Sequence, residues 1–296
     1  MATNGYTDLN VQNGWIPEVY SSQVLTRDYQ VSVVEQVART VRMNGPLMSV
    51  PRFDSQGADI VPEHAVIPVQ TGALDNVILQ SVKWADRFII SVEDQRDALA
   101  DVLQAKKAAW LDSFSRKFDN ACLGTTAAAD GVNVPFESVY RVAGSTGRLQ
   151  TAGSLSFAQL GTIFTGIEQG DYGSDLVIIA HPAFSQALRS LTTPQGFPLV
   201  ADPLGGGTPS IFGNPVYISR GARTSATATH APTGNPLLVV ASRRNLIVGV
   251  HDGPESQVSD QPQWATDEVE LKLRARRAFV AATPDAFRVV ELTAGA

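Results

Sequence analysis

The stretch "EVELKLRARRAFVAAT", Glu268 to Thr283, narrows the fold more than any other part of the chain. Val269, Leu271, Leu273 and Ala275 alternate with Glu270, Lys272, Arg274 and Arg276. Side chains of a strand point to opposite faces in turn, so the pattern describes a strand with one buried face and one charged face. At Arg276-Arg277 the phase slips by one, as a β-bulge would do. "AFRVVEL" returns after a Pro284-Asp285 turn, which predicts a long antiparallel hairpin with the preceding strand. Such a half-buried sheet needs an apolar layer to lie against.

A long helix is the obvious candidate for that layer. After a short strand through Ile90, Ser91 and Asp94 form a possible capping box. Leu99, Leu103, Trp110, Phe114 and Phe118 then recur at helical intervals, and Gly124 closes the run. About 28 residues at ~1.5 Å each give roughly 40 Å, a spine to which other elements can attach. The Trp110/Phe114/Phe118 stripe reads as core packing rather than a ligand site.

Upstream, two segments ask for partners. In "RDYQVSVVEQVARTVRMNGP", Val31, Val34, Val37, Ala38 and Val41 fall on one helical face, with Asp28 as a plausible N-cap and Gly45-Pro46 as the stop. A valine-rich helix is weak by propensity, so it needs a partner surface, such as another chain. From Val50 to Gln80 the pattern is strand–turn–strand, with "AVIPV" and "NVILQSV" as strands and "QTGALD" as the turn. A lone two-stranded ribbon is marginal in water and would be ordered only across something else.

The middle of the chain alternates helices and strands. "SFAQLGTIFTGIEQ" is a helix with Phe157, Leu160, Ile163, Phe164 and Ile167 on one face, followed by strand "LVIIA". "HPAFSQALRSL" is a helix with Pro182 at its first position. The Pro- and Gly-rich loop "TTPQGFPLVADPLGGG" follows, then strands near Pro215–Ser219, Leu237–Ser242 and Asn245–Val250. This predicts a compact α/β or α+β module over a small sheet.

Chemistry is sparse. The four histidines, His64, His181, His230 and His251, show no metal-ligand spacing, and Cys122 is the single cysteine. No disulfide is possible within the chain, which fits a reduced compartment such as a bacterial cytoplasm. His181 reads as a cap or turn residue. His251-Asp252 is an acid–base pair in sequence, but neighbours on a regular strand face opposite ways. No G-x-S-x-G, CxxC or HExxH occurs, and the glycines of "LGGGTPSIFG" lack the lysine and helix start of a phosphate cradle. Thus no catalytic, cofactor-binding or metal residue is assigned, and no cofactor is expected. The basic clusters Arg243-Arg244 and Arg274, Arg276 and Arg277 are expected to pair with acids of another copy. With a net charge of −6, the chain lacks the basic excess of a free nucleic-acid binder. Its apolar runs are too short to span a bilayer, and its first residues lack a secretory signal pattern.

Taken together, the order of parts resembles the major capsid protein of tailed bacteriophages with the Hong Kong 97 fold. "GWIPEVYSSQVLTRDYQVSVVEQVARTVRM" is similar to that family's N-terminal arm, and "ADIVPEHAVIPVQTGALDNVILQSVKWADRFIISVEDQRDA" to its E-loop leading into the spine helix. "VIIAHPAFSQALRSLTTPQGFPLVADPLGGGTPSIFGNPVYIS" resembles its axial domain, with a G-x-P-V strand, and "DEVELKLRARRAFVAATPDAFRVVEL" its last peripheral strands. The resemblance implies an α+β fold divided as arm 1–48, E-loop 49–83, peripheral domain with spine helix 84–150, axial domain 151–248 and peripheral C-terminal strands 249–296.

It also implies a non-enzymatic protein of the virion, assembled in the bacterial host cytoplasm. Copies would form pentamers and hexamers of an icosahedral shell around double-stranded DNA, held by non-specific contact. Further partners would be a portal protein and, as separate chains, a scaffolding protein, a protease and a decoration or cement protein; no membrane is involved. The axial loop would be shaped by packing around a symmetry axis. Because the arm starts almost at Met1, any scaffold is expected to be separate. Some relatives join subunits through an E-loop lysine and a late asparagine. Here no lysine lies between Phe53 and Val82 and no asparagine follows Asn245, so no such crosslink is expected. An encapsulin-like nanocompartment shell is the alternative within the fold, and a cytosolic enzyme using His181 or His251-Asp252 the alternative outside it.

Overall fold

The computed structural model describes residues 31–53, 60–67, 74–97, 102–192, 196, 209–228, 232–261 and 266–293. Three sheets organise them. A four-stranded sheet runs β1 (Arg39–Arg42), β10 (Leu246–Ser259), β11 (Glu268–Ala281), β4 (Val82–Ser91). A six-stranded sheet runs β5 (Leu149–Ala152), β12 (Phe287–Leu292), β9 (Leu237–Ser242), β6 (Leu176–Ala180), β8 (Asn214–Ile218), β7 (Ser210–Ile211). A ribbon pairs β2 (Leu47–Phe53) with β3 (Leu74–Gln80).

The β11 alternation does bury one face. Leu271, Leu273 and Ala275 are inside while Lys272 and Arg276 are exposed. They pack against the spine helix α3 (Val102–Leu123), whose Trp110, Phe114 and Phe118 stack in series at 5.4 and 6.0 Å. Trp84 of β4 meets Phe114 edge-on at 5.8 Å. The stripe is core, as expected. The helical pattern before it includes α2 (Val92–Asp97), and residues 98–101 lie outside the described residues. The Ser91 hydroxyl accepts from the Glu93 N–H, and the Asp94 side chain lies outside the description.

Three expectations are corrected. First, the valine-rich run is not one helix. α1 (Val33–Val37) is capped by Ser32, and the chain turns at Ala38 into β1, which pairs in parallel with Ile247 to Val250 of β10. Valine fits a strand as readily as a helix, and a free edge of β10 settles the choice. Asp28 lies outside the described residues. Second, the partner of β3 is "LMSVPRF", not "AVIPV"; residues 65–67 are exposed and lie outside any strand, and 68–73 are not described. Third, the hairpin is β10–β11, not β11–β12. After β11 a 3-10 turn at Pro284–Ala286 carries the chain into the other sheet, between β5 and β9. Phe287 and Val289 enter one core cluster and Val290 the other, so β12 is apolar on both faces and needs a central place.

The bulge also sits elsewhere. The extra residues are in β10, between Val250 and Asp252 and between Asp252 and Glu255, while β11 and β4 stay in register from Glu268 to Arg277. Arg277 therefore keeps the inward phase and is buried.

In the other layer, α5 (Phe157–Glu168) starts at a Ser156–Gln159 capping box and buries Leu160, Ile163, Phe164 and Ile167 against the fully buried β6. The helix α6 (Phe184–Ser190) begins two residues after Pro182; the short α4 (Val139–Ser145) precedes β5. β7 and β8 form a tight hairpin with positive φ at Phe212 (51°) and Gly213 (77°). Phe212 tolerates this because its ring packs edge-on against Phe157 and Phe164, at 5.8 and 5.2 Å. The loop 193–208, apart from Gly196, lies outside the described residues.

Candidate assembly surfaces

Asp119 is the hub that holds the N-terminal segment. It is a fully buried carboxyl on α3. Its Oδ1 accepts from the Ser32 hydroxyl (2.6 Å) and the Val34 N–H (3.2 Å). Its Oδ2 accepts from the Ser219 hydroxyl (2.7 Å) and the Val33 N–H (3.1 Å). One side chain thus caps α1, whose first N–H groups have no helical partner, and ties it to the end of β8. Burial pushes its pKa up to about 6, against the pull of these four donors. Next to it, the Asn120 amide donates to the carbonyls of Gly221 (3.1 Å) and Arg223 (2.8 Å). Gly124 lets the Arg223 carbonyl come closer than any Cβ would allow.

A second clasp joins the same segment to the four-stranded sheet. Arg277 pairs with Glu35 of α1 and donates to the Asp252 carbonyl at 2.5 Å. Its neighbours are also paired within the chain: Arg274 with Glu255 (2.7 Å), Arg276 with Asp252 (3.5 Å) and Arg243 with Asp175 (3.8 Å). The expectation of intersubunit partners is corrected for Arg243, Arg274, Arg276 and Arg277, which pair with acids of their own chain, the β10–β11 register putting one opposite Arg274 and Arg276. The sequence held a signal for these clasps: Asp119 and Asn120 interrupt an apolar helical run, and Arg277 occupies an inward position.

The ribbon is half covered. Met48, Val50 and the buried Leu79 face Met43, Ile247 and Ala278. Arg52 anchors it through the Ala282 carbonyl (2.6 Å) and forms an ion pair across the ribbon with Asp75. The opposite face carries Leu47 and Ile78, 62% and 65% exposed. Beyond it, Ile60, Val66 and Ile67 are 100%, 93% and 75% exposed. Among the described residues the ribbon pairs with no third strand, and apolar side chains so exposed form a surface that another molecule can cover.

Among the described residues the histidines join no metal-ligating cluster. His64 is exposed, and His230 lies outside the described residues. His181 Nδ1 accepts from the Ala183 N–H at 3.1 Å, as a turn cap; burial and then Arg223 push its pKa down to about 4. The β10 bulge brings His251 Nδ1 to 3.1 Å from Asp252 Oδ1, contrary to the expected opposite facing. That acid is already shared with Arg276, in an ion-pair cluster at the bulge. Cys122 is buried, and burial, then Asp119 and Glu35, raise its thiol pKa well above the ordinary value. No cluster of three metal-ligating side chains occurs among the described residues.

Comparison with known proteins places this architecture. No curated protein matches the chain. Among solved structures it is similar to one from Mycobacterium phage Bobi, at 19% identity and a TM-score of 0.75, covering 96% of this chain and 97% of that one. A structure from Microbacterium phage Oxtober96 is similar at 15% identity and a TM-score of 0.72, covering 95% and 97%. The capsid of a native GTA particle is similar at 14% identity and a TM-score of 0.71, covering 99% and 100%. The likeness extends over whole chains, and the fold is the α+β arrangement of the Hong Kong 97 type. The model of the phage capsid family matches residues 13–292, so the chain belongs to the phage capsid family.

Proposed function

We propose that the chain is a major capsid protein whose copies close into pentamers and hexamers and tile an icosahedral shell around phage double-stranded DNA. The family match carries this reading, and the uncovered ribbon face supports it. Head-to-tail contacts that close into rings need a surface that is incomplete on each copy. Residues 1–48 act as the arm, 49–83 as the E-loop, 84–150 and 249–296 as the peripheral domain, and 151–248 as the axial domain. The role is structural rather than enzymatic. A portal protein completes the shell, and assembly takes place in the host cytoplasm. The encapsulin-like alternative is not favoured, since the similar structures come from phages and GTA particles.

With no lysine between Phe53 and Val82 and no asparagine after Asn245, the shell is held without lysine–asparagine bonds. Electron microscopy of the chain expressed with its natural assembly partners tests the proposal. Shells or capsomers support it, and a discrete small oligomer under all assembly conditions refutes it. When mature particles are boiled in detergent, this chain should run as one band near 31.6 kDa. A ladder of multiples would refute the absence of crosslinks.

A further inference from the structure

Asn44 and Gly45 lie in the turn that leads from β1 into the ribbon. Asn44 is the one asparagine followed by glycine among the described residues. It is exposed, and its side-chain amide makes no hydrogen bond among them. The Gly45 N–H has no acceptor among them either. A side-chain carbonyl carbon and the next N–H, both unheld, are the two groups that close a succinimide ring. Spacing alone does not produce this state. Asp130-Gly131 is also an acid-derived side chain before a glycine, but its carboxylate accepts from the N–H groups of Val132, Asn133 and Val134, each at 2.8 Å. The Gly131 N–H there is bound to the Val134 carbonyl at 3.1 Å.

The turn does not need a glycine for steric reasons. The φ of Gly45 is outside the left-handed region, and an added Cβ would meet nothing nearer than the Leu47 carbonyl oxygen, at 3.9 Å. What the missing Cβ changes is access to the nitrogen. The chain is also held on both sides of the pair. The Met43 N–H donates to the Val250 carbonyl at 2.9 Å, and Met43 is buried with Leu79, Ile247 and Ala278 where the ribbon rests on the sheet. The Pro46 carbonyl accepts from the Ser81 N–H at 2.8 Å, which closes the base of the ribbon. A change in main-chain length between Met43 and Pro46 is therefore passed to the seat of the ribbon.

We propose that Asn44-Gly45 is a self-modifying hinge: the pair deamidates in the folded protein, and the isoaspartate so formed loosens the ribbon on the sheet. The Gly45 nitrogen attacks Asn44 Cγ, and its proton passes through solvent to the leaving Nδ2. The Cγ–Nδ2 bond breaks and ammonia departs. Water then opens the ring. Addition at Cγ leaves an ordinary aspartate. Addition at the main-chain carbonyl leaves isoaspartate, whose chain runs through Cβ and Cγ and is longer by a single atom. The net reaction takes up water, releases ammonia, adds a negative charge and involves no oxidation or reduction. The hinge acts within one copy, so it stands independently of how copies assemble.

The test holds the unassembled full-length protein and the free peptide Val-Arg-Met-Asn-Gly-Pro-Leu-Met side by side in mildly alkaline buffer, followed by peptide mass mapping. Conversion of Asn44 in the folded protein, read as a mass gain of about one unit, should run within about tenfold of the peptide's rate. A slower rate overturns the proposal, because the fold then holds the amide. Gly45→Ala should keep the melting temperature and slow conversion by at least about tenfold, and a smaller effect overturns the attack by this nitrogen. Hydrogen exchange at the Ser81 N–H should quicken in the protein that carries isoaspartate. It should stay parent-like in Asn44→Asp, which adds the charge without the extra atom. Unchanged exchange after conversion, or an equal change in Asn44→Asp, overturns the hinge.

Discussion

Replacing Asp119 by alanine removes the clasp between α1, the spine helix and the end of β8. Four donors lose their acceptor at once: two hydroxyls and the N–H groups of Val33 and Val34. A buried donor left unmet costs about 1–3 kcal/mol, although the two hydroxyls can turn to other acceptors. Against this, the mutation relieves the cost of burying a carboxylate, which is about 3 kcal/mol at neutral pH for a pKa moved from 3.8 to about 6. The net loss near pH 7 is therefore at most about 3 kcal/mol, and it rises towards low pH, where the buried acid is neutral.

The pH dependence has a definite sign. With the folded pKa above the unfolded one, the folded chain holds a proton that the unfolded chain has released between pH 3.8 and about 6. The contribution of Asp119 is full below pH 3.8 and is lost as pH rises through 6. Urea unfolding of the unassembled chain between pH 4.5 and 7 should show this slope, and Asp119→Asn should flatten it. Hydrogen exchange at Val33 and Val34 should accelerate in the alanine variant. A parent-like slope in Asp119→Asn, or unchanged protection of those two amides in Asp119→Ala, would refute the reasoning.

Arg277→Met leaves Glu35 without its partner and should cost about 2–4 kcal/mol in urea unfolding; adding Glu35→Gln should recover part of it. Gly124→Ala drives a methyl into the Arg223 carbonyl and should lower the melting temperature by at least about 5 °C, or leave the chain insoluble. Ile78→Asp, at a side chain 65% exposed, should leave the unfolding midpoint of the lone chain within about 0.5 kcal/mol and abolish shells seen by electron microscopy.

What could be read from the sequence was whatever local pattern decides. The inward residues of β11, the apolar face of α5 and the aromatic stripe of α3 all follow from spacing alone. What escaped depends on distant partners. Val33 to Arg42 suits a helix or a strand, and the edge of β10, some two hundred positions later, decides that half of it is strand. Arg277 looked like a slipped phase because an inward arginine makes sense only with Glu35, 242 positions away. Proximity favoured pairing β12 with β11, but its two apolar faces belong between β5 and β9. The His251–Asp252 approach arises from a bulge that no side chain announces.

The central claim is that sister copies cover the outward face of the β2–β3 ribbon. Hydrogen exchange at residues 47–53 and 74–80, compared between dissociated subunits and intact particles, tests it most directly. Strong extra protection in the particle, centred on Leu47 and Ile78, is the expected result; equal protection in both states would contradict it.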